Sequence, residues 1–130
     1  MEERRHGSTD RPSQQQVQRV IQQGGKLLVE MVETLGPRLQ QGRLTVSQIR
    51  NVYGMVKQME MRGFDANEFI LLKPKLAYTA VHTNTKNTRE LKDVLSWAID
   101  EVDKDASKFA RFVDFFEAIL AYHRAAGGRA

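Results

Sequence analysis

The residues of this chain best suited to acid–base or metal chemistry are not arranged to perform it. His6, His82 and His123 stand far apart, no HExxH occurs, and the pair of Glu-x-x-His motifs that a di-iron bundle needs is absent. Asp100, Glu101, Asp103 and Asp105 crowd together, yet they lack the alternating oxygen ligands and the glycine of a calcium loop. No phosphate-cradling glycine loop and no nucleophile elbow appears. There is no cysteine, which removes disulfides and thiolate metal sites together. The expectation is a protein with no catalytic residues, no bound metal and no cofactor.

The cations are better placed. Residues 34–89 carry nine lysines and arginines against three acids, and no acid occurs between Thr34 and Met59. Residues 90–130 reverse the balance, with six cations against eight acids. An acid-free, modestly basic segment is what a phosphate-backbone surface requires, and solvated helix faces of uneven charge would read the same way. Arg50 and Lys57 are two helical turns apart and point the same way, opposite an apolar stripe. Lys75, Tyr78, Thr79 and His82 share a second face, with Lys73 beside Pro74. Ammonium, guanidinium and hydroxyl donors of this kind contact phosphates without reading bases. Tyr78 also reads as an aromatic at the core edge, and His123 as a core histidine.

Helices must position these groups, since every periodic stretch repeats at three and four residues. The last run, Lys108 to Arg124, is the most informative. Phe109, Phe112, Val113, Phe116, Ile119, Leu120 and His123 form one face, which Phe115, Ala118 and Tyr122 widen until little polar surface remains. A helix apolar nearly all round is buried in a core or against a partner. A first helix is expected from Ser13, kinked or closely packed at Gly24-Gly25 and ended by Gly36-Pro37, before a linker holding Arg38, Gly42 and Arg43. A second opens at a Thr45 capping box and stops at Gly63. The third opens at Asp65 and is kinked or broken at Pro74. The fourth spans about Thr88 to Asp105, and the fifth runs from near Ser107 to Gly127-Gly128.

The fold class is therefore all-α: a single-domain bundle of about five helices over residues 13–128, behind a flexible polar tail at 1–12. No stretch reaches the ~20 apolar residues of a membrane span, and the N-terminus lacks the apolar core of a signal peptide. The expected location is the cytoplasm, with no membrane partner.

Three segments carry a resemblance. They are Ser47-Gln48-Ile49-Arg50-Asn51, then Leu72-Lys73-Pro74-Lys75-Leu76-Ala77-Tyr78, then Arg111-Phe112 followed by Phe116-Glu117-Ala118-Ile119-Leu120-Ala121-Tyr122. In order and spacing they resemble the small subunit, Csm protein two, of the type III-A CRISPR–Cas Csm effector, from about Thr45 to Gly128. The resemblance implies a prokaryotic, non-catalytic helical protein of antiviral defence. Copies would stack head to tail beside the backbone subunits that hold the crRNA, together lining a groove for the target RNA. Target cleavage would belong to the backbone subunit, and the other activities to the large subunit. By position it marks Arg50, Lys73, Lys75, Arg111 and Arg124 as RNA-backbone contacts, to which helix periodicity adds Lys57 and His82. Where family members tend to carry Gly-Arg, this chain has Val81-His82, and a neutral histidine makes a weaker phosphate contact. A competing reading is a DNA-binding regulator, with the second and third helices as a helix-turn-helix around Gly63. Pro74 would interrupt its recognition helix, and Asp65 and Glu68 would bring acids to the end entering the groove.

Overall fold

A computed structural model describes the backbone of residues 11–41, 46–83 and 86–126, with side chains over 11–39, 50–79 and 89–126. Most of the expected N-terminal tail, residues 1–10, lies outside the described residues, as do Thr45 and the side chain of His82. Seven helical segments follow in order: α1 Gln14–Gln23, α2 Gly25–Gln41, α3 Val46–Arg62, α4 Ala66–Ile70, α5 Leu72–Thr83, α6 Lys86–Val102 and α7 Ala106–Ala125. No strand occurs among the described residues.

Local chemistry explains most boundaries. Ser13 Oγ accepts from the Gln16 N–H at 3.2 Å while Gln16 Oε1 accepts from the Ser13 N–H at 2.8 Å, a reciprocal cap that starts α1. Gly24 and Gly25, at φ 63° and 57°, end it. An L side chain in that region costs about 1–2 kcal/mol, so the glycines permit a break where the sequence suggested a kink or close packing, and Gly24 also lies against Arg111. Gly63, at φ 97°, closes α3, and Asp65 caps α4 by accepting from the Asn67 and Glu68 N–H groups. The break between α4 and α5 falls at Leu71. Pro74 cannot donate to the carbonyl four residues back, that of Ile70, and its ring crowds it, so the expected interruption sits one turn before the proline. Asp105 caps α7 through the Ser107 and Lys108 N–H groups.

One expectation is corrected. Gly36-Pro37 does not end its helix, because α2 continues to Gln41 with Pro37 inside it. The proline forfeits a single hydrogen bond, and packing beyond it outweighs the loss. Leu39 is fully buried, and Arg38 Nε donates to Glu90 Oε2 at 2.6 Å. The first expected helix is thus two, and with α4 and α5 taken as one helix bent before Pro74 the described residues form six helices, in keeping with the expected all-α bundle.

Cross-helix contacts fix the directions. Tyr53 meets Phe116 at 5.4 Å and Phe64 meets Phe109 at 4.8 Å, so α3 runs antiparallel to α7. Gly24 lies against Arg111 and Gly36 against Tyr122, so α2 runs parallel to α7. Arg11–Asp93 and Gln22–Glu101 contacts set α1 parallel to α6. Lys73–Asp100 places the start of α5 beside the end of α6. The result is a bundle in which α1 runs with α6, α2 with α7, and α3 against α7. Its centre is α7, whose Phe112, Phe115, Phe116 and Ile119 are fully buried. Phe69 of α4 closes the α6–α7 turn end with edge-on contacts to Phe109 and Phe112.

Candidate nucleic-acid interface

Arg50 projects from α3 into solvent. The antiparallel register that sets Tyr53 beside Phe116 brings Arg50 level with Ile119. Arg124, exposed in the last turn of α7, lies about 8 Å farther along the axis. These two guanidinium groups belong to one end of the bundle. Lys73 belongs to the other, because its Nζ is 2.7 Å from Asp100 Oδ1 beside the α6–α7 turn. Roughly 25 Å of helix separates the ends. Lys75 and Tyr78, both exposed, lead from the Lys73 end along α5, with the Thr79 hydroxyl donating to the Lys75 carbonyl at 3.0 Å. The backbone of His82 continues this helix.

Lys57 and Arg111 are more engaged. Lys57 Nζ lies 2.6 Å from Glu60 Oε1 and 6.0 Å from the Tyr53 ring centre. The Glu60 hydrogen bond, followed by the nearby tyrosine and acids, raises the lysine above its ordinary range, so it stays cationic. Burial, helped by Glu117, likewise pushes the Tyr53 hydroxyl up and keeps it neutral. Arg111 Nε donates to the Ile21 carbonyl at 2.6 Å, tying the last turn of α1 to α7. A phosphate can reach only its remaining guanidinium nitrogens. The sequence thus marked seven cationic or imidazole residues that the fold distributes along the bundle rather than gathering into one pocket.

The buried polar groups serve the frame. Glu90 is 2 % exposed and accepts from Arg38. His123 is fully buried on the inner face of α7, as the core reading of it required. Among the described residues no three His, Cys, Asp or Glu side chains converge as metal ligands. A half-open groove of about 300 Å³ between α1 and α2 has Val20, Leu27, Met31 and Leu35 in its lining, with Arg19 and Glu30 beside them. No helix of the described residues is long and apolar enough to cross a membrane.

The described residues thus form an all-helical bundle with an aromatic central helix and cations spread over its surface. A family model described as Csm2 Type III-A matches residues 22–129. The chain belongs to the Csm2 Type III-A family. Csm2 is the small subunit of the type III-A Csm effector complex, and the match covers the whole bundle except most of α1. No curated protein and no solved structure matches the chain. The resemblance carried by the 47–51, 72–78 and 111–122 segments is thereby confirmed at the level of family.

Proposed function

We propose that the protein is present in several copies in a cytoplasmic type III-A interference complex, lining the groove that holds target RNA paired to crRNA. It binds the backbone through Arg50, Lys57, Lys73, Lys75 and Arg124, with secondary contributions from His82 and the outer nitrogens of Arg111. It performs no chemistry of its own, contacts the backbone and large subunits, and stacks head to tail with its own kind in antiviral defence.

The observation that carries this reading is the separation of the cations. Arg50 with Arg124, and Lys73 with Lys75, mark opposite ends of the bundle. Stacked copies of such a bundle would present phosphate donors at repeated intervals, the arrangement that sequence-independent backbone contact favours. The helix-turn-helix alternative finds less support. Its recognition helix would be α4, which has five residues and carries Glu68 in its first turn, where bases must be approached.

Affinity purification of the tagged protein from its host tests the reading. Recovery with Csm-type subunits and a ladder of short crRNAs is expected. A protein free of RNA, or one held on a discrete DNA site, would overturn it.

A further inference from the structure

The α1–α2 joint consists of Gly24 and Gly25, both in the left-handed region at φ 63° and 57°. Glycine occupies either sign of φ at similar cost. With both residues in the right-handed helical region, α1 and α2 become one helix from Gln14 to Gln41, about 42 Å long. In that form α1 stands away from its own bundle with Val17, Val20 and Ile21 uncovered.

In the closed form those three side chains are fully buried. Polar ties from α1, and from Arg11 just before it, lead to α6 and α7. Gln22 Nε2 donates to Glu101 at 3.1 Å, Arg11 pairs with Asp93 at 2.9 Å, and Arg111 Nε donates to the Ile21 carbonyl at 2.6 Å. The covalent link, in contrast, leads to α2. Between α1 and α2 themselves lies the half-open groove of about 300 Å³, so the packing of α1 on α2 is incomplete along it. The site that holds α1 is therefore separable from the element that tethers it, and any second copy of the chain offers the same site.

We propose that α1 is an exchangeable arm: when the Gly24-Gly25 joint straightens, α1 docks on α6 and α7 of a second copy. The exchange remakes each tie to Glu101, Asp93 and Arg111 in trans. It gives up the α1–α2 packing beside that groove and adds the helical hydrogen bonds that the joint interrupts. This is the usual condition for a low-cost swap, in which identical contacts are made between copies instead of within one. Of the proposed RNA contacts only Arg111 takes part in these ties, through its Nε, and Arg50, Lys57, Lys73, Lys75 and Arg124 take part in none.

The chain has no cysteine, which makes the test direct. One preparation carries Gln22→Cys with an affinity tag, and another carries Glu101→Cys. They are mixed, incubated and treated with a short bismaleimide. A covalent product of one tagged and one untagged chain is expected, increasing with total protein concentration. Gly25→Ala should raise its yield about tenfold, because a Cβ there meets no atom within 4 Å and acts only by penalising the left-handed φ. Gly25→Asn, which tolerates that region, should stay at the wild-type yield. Circular dichroism checks that each variant is folded. No mixed product from folded Gly25→Ala protein would overturn the proposal. So would an equal yield when Gln15→Cys, on the solvent side of α1, replaces Gln22→Cys, since random collision would then explain the product.

Discussion

Gly36 of α2 and Tyr122 of α7 meet with no room for a side chain between them. A Cβ on Gly36 would lie 2.6 Å from the Tyr122 Cβ and 2.8 Å from its carbonyl carbon, with the His123 nitrogen at 2.9 Å. Two of these three atoms are backbone and cannot swing aside. The spacing of the two parallel helices is therefore set by a hydrogen atom at position 36.

Gly36→Ala is expected to destabilise the fold by about 1–3 kcal/mol, the cost of overpacking a close helix contact, despite the better helix propensity of alanine. Gly54 provides the contrast. It sits on the exposed side of α3 with nothing within 4 Å of a built Cβ, so Gly54→Ala should stabilise by up to about 1 kcal/mol. Chemical denaturation of both variants measures the pair. A Gly36→Ala protein as stable as the wild type would show that α2 and α7 are not in the described contact.

The Arg38–Glu90 pair fastens the end of α2 to the start of α6, with Glu90 2 % exposed and the arginine side chain 27 % exposed. Removing one partner strands the other, and Arg38→Met should cost about 2–4 kcal/mol, somewhat below a fully buried pair because the arginine keeps some solvent. Adding Glu90→Leu to it should recover most of that loss. If the double variant is no more stable than Arg38→Met, Glu90 gains its stabilisation from elsewhere.

How far the fold could be read in advance depended on which rule governed each element. Helix α7 was fully legible, because seven apolar or aromatic positions repeat at helical steps and all but Leu120 are buried. Gly63, Asp65 and Pro74 acted locally and did what their chemistry demands. Pro37 did not, because the packing of Leu39 and the reach of Arg38 to Glu90 are long-range facts that no local pattern contains. The two glycines at 24 and 25 announced an irregularity, but not whether the chain would bend or reverse. For the surface cations, helix phase identified which residues share a face. It gave no hint that Lys73 pairs with Asp100, twenty-seven residues away, or that Arg111 reaches back to Ile21.

Asp105 links stability to pH. Hydrogen bonds from Ser107, through its hydroxyl and backbone, and from the Lys108 N–H hold its carboxyl below the ordinary carboxylate value near 4. Glu101 is lowered too, first by its hydrogen bond from Lys108 and then by Gln22. A depressed folded-state pKa stabilises fully above the unfolded value, and the contribution is lost as pH falls through the folded one. The melting temperature should therefore drop as pH falls below about 4. Asp105→Asn, which still caps a helix, should match the wild type near pH 7 and show a shallower acid decline. An identical acid profile would remove Asp105 as a contributor.

The two ends of the bundle make separable predictions for RNA. In the assembled complex, Arg50→Ala with Arg124→Ala removes donors from one end, and Lys73→Ala with Lys75→Ala from the other. Each pair should weaken target RNA about equally for unrelated sequences, because phosphates are being contacted and not bases. Every phosphate that a variant no longer neutralises should also flatten the slope of log affinity against log salt by roughly 0.7–0.9, multiplied by the number of copies touching the RNA. The lysine pair carries a second effect, since Lys73 neutralises Asp100 and its removal leaves an uncompensated acid beside the site. Its affinity loss should therefore exceed that of the arginine pair at low salt and converge with it at high salt, where the acid is screened. Unchanged salt slopes in both double variants would place the RNA on some other face of the bundle.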